Sequence, residues 1–90
     1  MAVVHFPRQF MSYTNQHKTH TTEGSCVSDV LNNLTAHYPD LIGPVFTADL
    51  HPLPFVGLFV DGMSVTSEHD RLRPLDSNAQ LILISAVAGG

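Results

Sequence analysis

The chain has 90 residues, 43% hydrophobic and 13% charged, which reads as one globular domain rather than a disordered segment or a string of domains. Its formal net charge is -4, and its only cations besides histidine are the scattered Arg8, Lys18, Arg71 and Arg73. That pattern offers no basic stripe to neutralise a phosphate backbone, so nucleic-acid binding is excluded as an expectation.

In chain order, Ala2 to Phe6 is a short β-branched apolar run closed by Pro7, which predicts a first strand. Arg8 to Gln16 is polar and predicts a turn. His17 to Thr22, with Thr19, Thr21 and Thr22, predicts a half-exposed second strand returning as a hairpin. Val27, Val30, Leu31, Leu34 and Tyr38 then recur at spacings of three and four, the pattern of an amphipathic helix. Ser25 is the expected N-cap, Asp29 suits the first turn, and Pro39 stops the helix. Asp40 to Phe46 predicts a short irregular turn, and the prolines of Thr47 to Pro54 a loop. Phe55 to Val60 has strand length and is closed by Asp61-Gly62, a hairpin signal, with Met63-Ser64-Val65 as partner. Thr66 to Ala79 predicts a loop with one helical turn around Leu72 to Leu75. Gln80 to Ser85, containing Leu81-Ile82-Leu83-Ile84, is the most apolar strand.

Two hairpins separated by one helix require that helix to cross the sheet, which sets the last strand beside the first. The expected fold is therefore α+β, a β-grasp (ubiquitin-like) unit: a mixed sheet of four to five strands with one main helix across one face. Residues 1–85 are expected to form that domain and residues 86–90 a flexible tail.

This order of elements, ending in Ala86-Val87-Ala88-Gly89-Gly90, resembles the bacterial ubiquitin-like sulfur-carrier family. That family contains the small subunit of molybdopterin synthase, the thiamin-thiazole carrier and the carrier of an alternative cysteine synthesis. The resemblance also runs through Gly24-Ser25, Val27, Val30-Leu31, Leu34 and Tyr38-Pro39, and through Phe55-Val56 to Phe59-Val60-Asp61-Gly62. The ending is most similar to the cysteine-synthesis and siderophore-type carriers. The chain departs from the family at Ser77-Asn78-Ala79, where a Gly-Asp pair is usual, and at Ser85, where proline is frequent.

The resemblance implies that Gly90 is the adenylation and thiocarboxylate site, and that Gly89, Ala88, Val87 and Ala86 thread into another protein's active site. Glycine suits such threading because it lacks a Cβ and adopts backbone angles closed to other residues. The chain itself is then no enzyme but a cosubstrate. It binds no permanent cofactor; ATP and Mg are used by the activating enzyme. The implied partners are an E1-like adenylyltransferase, a sulfur-accepting biosynthetic enzyme for cysteine, thiamin, molybdopterin or a siderophore, and a metalloprotease that exposes the Gly-Gly end. The alternative is a ubiquitin-like modifier joined through Gly90 to lysines of other proteins.

Alternation along Gln80 to Ser85 sends Leu81 and Leu83 to one side and Ile82 and Ile84 to the other. One pair packs under the helix; the other is either covered by the Thr47 to Pro54 loop or left as an apolar docking patch with Phe59 or Leu58. Arg71 and Arg73 are candidate contacts of that patch, though solvated surface positions are the readier expectation for both. Other features argue against alternative chemistries. The single Cys26 excludes an internal disulfide or a multi-cysteine zinc cluster and suits a reducing compartment. His17 and His20 are expected on opposite sides of a strand, and His5, His37, His51 and His69 are dispersed, so no metal site is expected. There is no phosphate-binding glycine loop. No membrane-length run and no signal-peptide pattern are evident, which leaves a cytoplasmic protein as the expectation.

Overall fold

Alternating burial along the first strand fixes how the sheet is laid. In β1 (Ala2–His5), Ala2 and Val4 face the core while Val3 and His5 are half-exposed. The computed structural model describes residues 1–86 and extends that pattern through the molecule. β2 (Thr19–Thr22) pairs antiparallel with β1, α1 (Val27–His37) crosses the sheet, and β3 (Val56–Val60) and β4 (Met63–Ser64) form a second hairpin. A short helix α2 (Glu68–Leu72) precedes β5 (Gln80–Ser85).

The strand order is β2-β1-β5-β3-β4, with β5 parallel to β1 and antiparallel to β3. This is the β-grasp arrangement, with five strands, and the last strand lies in the middle. One side of α1 contributes Val27, Val30, Leu31 and Leu34 to the core, all at most 1% exposed. Each such side chain contributes about 1.5–3 kcal/mol by leaving water. From the sheet, Val4, Leu58, Leu81 and Leu83 meet them.

Several expectations are corrected. The second strand starts at Thr19 rather than His17. Asn15 and Gln16 have positive φ, and buried Thr14 donates its hydroxyl to the His17 carbonyl, so residues up to 17 belong to a turn. Residues Arg8–Tyr13 of the expected turn form a 3-10 helix that buries Phe10. The N-cap of α1 is Cys26; Ser25 instead donates its hydroxyl to the Asp29 carboxylate at 2.6 Å. That bond, ahead of a second one from the Ser25 N–H, holds the Asp29 carboxyl below its ordinary pKa. Pro39–Leu41 is a 3-10 turn, and the following irregular stretch carries Val45 and Phe46 fully into the core.

The helical turn expected around Leu72 to Leu75 begins earlier, at Glu68. Ser67 accepts the Asp70 N–H, and the Asp70 carboxylate accepts the Ser67 N–H, so a capping box fixes the start. Pro74 fixes the end.

Candidate functional site

The candidate site follows from the outward side of β5. Leu81 and Leu83 are buried, whereas Ile82 and Ile84 are 40% and 41% exposed. The Thr47 to Pro54 loop does not cover them; its Leu50 and Leu53 pack against the core instead. Register places Phe59 opposite Ile82 and Gly57 opposite Ile84, so Phe59, not the buried Leu58, joins the isoleucines. A Cβ on Gly57 would lie 2.7 Å from Ile84 Cγ1 and 3.2 Å from Phe59 Cε1. Glycine there lets the Ile84 side chain settle onto the sheet between its neighbours.

The same side carries Val3 and His5 on β1, Gln80 on β5 and Ser64 on β4. His5 Nε2 and Gln80 Oε1 are 2.6 Å apart, a polar bridge along one border of the apolar strip. The alternation of β1 already implied that Val3 and His5 share a side; their alignment with Ile82 depends on the parallel β1–β5 pairing, which no local pattern reveals.

β5 then runs into the tail. Val56 pairs with Ser85, and the Ala86 N–H donates to the Phe55 carbonyl at 2.7 Å, so the chain is tied to β3 as far as Ala86. The expected threading and reaction residues Val87, Ala88, Gly89 and Gly90 lie outside the described residues.

The two candidate arginines are not part of this side. Arg71 is 7% exposed, a correction to the expected solvated position. Its Nη1 donates to the Leu50 carbonyl at 3.0 Å, and Nε lies 3.2 Å from Glu68 Oε1, though its N–H finds no well-aligned acceptor. Arg71 thus ties α2 to the Thr47 to Pro54 loop. Its neighbour Arg73 is exposed and lines a cavity of about 240 Å³ with Val27, Asp61 and Asp76, near the β3–β4 turn.

His17, His20 and His37, dispersed in the sequence, are brought together around Tyr38. His17 Nδ1 is 2.9 Å from the Tyr38 hydroxyl, and His20 Nδ1 is 3.5 Å from it. The His37 ring stacks on His20 at 4.5 Å. The opposite-sides argument fails because His17 precedes the strand. Burial, and then the neighbouring His37 and His17, lower the His20 pKa; burial raises that of Tyr38. Among the described residues, no three histidine, cysteine or acidic groups are placed to hold a metal ion. Nor is any helix among them long and apolar enough to cross a membrane.

No protein-family model matches the chain, and no curated protein matches it. Solved structures do. A chain of the Amycolatopsis orientalis BexX/CysO complex superposes with a TM-score of 0.85 at 17% identity, covering 100% of both chains. Small archaeal modifier protein 1 from Methanosarcina acetivorans gives 0.82 at 19% identity, covering 99% of this chain and 95% of that one. Mycobacterium tuberculosis CysO gives 0.75 at 21% identity, covering 97% and 100%. At these identities the likeness establishes the fold: a ubiquitin-like β-grasp over the described residues.

Proposed function

We propose that the protein is a sulfur carrier whose working group is the α-carboxylate of Gly90. The observation that carries the reading is the exposed Ile82–Ile84 pair on the central strand, flanked by Phe59, which leads straight into Ala86 and the two glycines. An apolar strip left this exposed is suited to a protein partner. Its position on the strand that runs into Ala86 supports the reading.

The chemistry divides between the chain and its partner. At neutral pH a free α-carboxylate, with a pKa of about 3.5, is ionised and nucleophilic. One carboxylate oxygen attacks the α-phosphorus of ATP, and the bond to the β-phosphate breaks to release pyrophosphate. Hydrosulfide, or its equivalent from a sulfur donor, then attacks the acyl carbon; the bond to AMP breaks and AMP leaves. The product is a thiocarboxylate on Gly90, which donates sulfide to a biosynthetic enzyme. Positive charge and Mg²⁺ for the first step come from the adenylyltransferase. This chain contributes the carboxylate, a side-chain-free approach through Gly89 and a folded strand that anchors the tail.

The reading requires Gly90 to carry a free carboxylate, either as synthesised or after a protease has exposed it. Incubation with a competent adenylyltransferase, ATP and a sulfide source should replace one C-terminal oxygen by sulfur in the intact mass. Deletion of Gly90 should abolish the exchange. Likeness to a small archaeal modifier protein favours a second reading, in which the same adenylate acylates lysines. Isopeptide-linked conjugates in place of the thiocarboxylate would establish that alternative.

A further inference from the structure

β1 and β5 run parallel, so the end of β1 and the exit of the tail lie at one end of the molecule. At that end, beside His5, a cleft of about 580 Å³ opens between the start of the 3-10 helix and the approach to β2. Buried Phe6 and half-buried Met11 and His5 line it together with the exposed Arg8, Lys18 and Thr19. The Phe6 N–H is bonded to the Lys18 carbonyl at 2.8 Å, so the walls are held by the ladder itself.

The charge of this cleft is out of keeping with the rest of the chain. The net charge is -4, yet two of its four Lys and Arg residues stand here. Among the described residues the ion pairs are His51–Glu68 and Arg71–Glu68, so neither Arg8 nor Lys18 is paired there. His5 connects the cleft to the apolar strip, because it lies opposite Ile82 in the β1–β5 register.

Reach decides who meets it. Five residues from Ala86 to Gly90 extend at most about 17 Å. An enzyme that receives Gly90 therefore overhangs this end of the sheet, on a molecule whose shorter dimensions are 24 and 23 Å. A standard interface covers roughly 800 Å² per partner, wide enough on a molecule of this size to take in surface beyond the strip.

We infer that the Arg8–Lys18 cleft is a second contact for the adenylyltransferase, taking a segment of that enzyme in which carboxylates flank an apolar side chain. The apolar side chain enters between Phe6 and Met11, and the carboxylates face Arg8 and Lys18. Rim charges act mainly on encounter rate and on the choice of partner, so the effect falls on KM and on salt dependence. The inference rests on the carrier reading.

The test is ATP–pyrophosphate exchange with a purified E1-like adenylyltransferase, titrated with the full chain at low and high salt. Arg8→Glu/Lys18→Glu should raise KM about tenfold or more, leave kcat within about twofold, and flatten the salt dependence. Arg73→Glu, on a different part of the surface, should change neither. The neutral single variants Arg8→Gln and Lys18→Gln, each raising KM about threefold, repeat the test without charge reversal should the double variant lose its folded circular dichroism. Unchanged KM in the charge variants, alongside a raised KM in Ile84→Asp, would overturn the cleft and leave the carrier reading standing. Absence of exchange with the wild-type chain, using an enzyme active on its own carrier, would remove the carrier reading and the cleft with it. Self-association of the wild-type chain that the double variant abolishes would assign the cleft to a second copy and overturn the inference.

Discussion

The two sides of β5 differ in what they ask of nearly identical side chains. Leu81 and Leu83 are sealed against α1, whereas Ile82 and Ile84, one residue away in each case, remain about two-fifths exposed. All four side chains have the same number of carbons, so hydrophobicity does not separate them; position does. The inner pair holds the fold together. The outer pair, about three-fifths covered, contributes less, and its retained apolar surface is suited to association with another protein.

The comparison can be broken experimentally, and the largest effect should come from inside. Leu83→Ala should cost about 2–5 kcal/mol in urea unfolding, because a cavity opens under α1 that the sheet cannot close. Ile84→Asp should cost less, about 1–2 kcal/mol, because Ile84 is already two-fifths exposed, yet raise KM for adenylation about tenfold or more; a stability loss as large as that of Leu83→Ala would show that the outer side is structural. Gly57→Ala sharpens the point, since its new Cβ would push Ile84 off the sheet. It should raise the same KM several-fold with a stability change of about 1 kcal/mol, because Ile84 is two-fifths exposed and its rotamer can turn toward solvent. The smallest effect belongs to the histidines around Tyr38. His20 has a folded pKa below its unfolded value of 6.5, so the unfolded chain binds the proton more readily. Its contribution is therefore complete above that value and is lost as pH falls through 6.5 towards the folded pKa. Unfolding curves at pH 7.5 and 5.5 should converge in His20→Gln relative to the wild type.

Where the structure was legible in the sequence, the signal was periodic. The α1 face from Val27 to Leu34 and the span of β5 both follow from spacing, and the Asp61-Gly62 hairpin from its turn residues. The capping signal of α2, Ser67 with Asp70 three residues on, is also in the sequence, but the apolar spacing of Leu72 and Leu75 points further along the chain than the cap does. The 3-10 helix Arg8–Tyr13 has no comparable signature, because short helices bury too little to impose a pattern. Of the site, Ile82 and Ile84 were legible as a pair and Phe59 as a candidate companion. The burial of Arg71 was not, since it depends on the carbonyl of Leu50, a residue 21 positions away in the chain. The meeting of His17, His20 and His37 at Tyr38 likewise depends on how α1 packs beside β2, a contact between elements rather than within one.

The central place of β5 also sets a condition on synthesis. The middle strand of the sheet is the last one made, and β1 finds its parallel neighbour some 77 residues further on, at Gln80 for Val3. Pairings so distant in sequence form late and slowly. Until residue 85 is free, β1–β2 and β3–β4 are two separate hairpins with no strand to join them, and isolated hairpins are at best marginally stable in water. A copy truncated before that strand exposes both gaps and is open to degradation. Only copies whose synthesis has reached β5 can close the sheet, so completion of the fold depends on the strand that leads into residues 86–90.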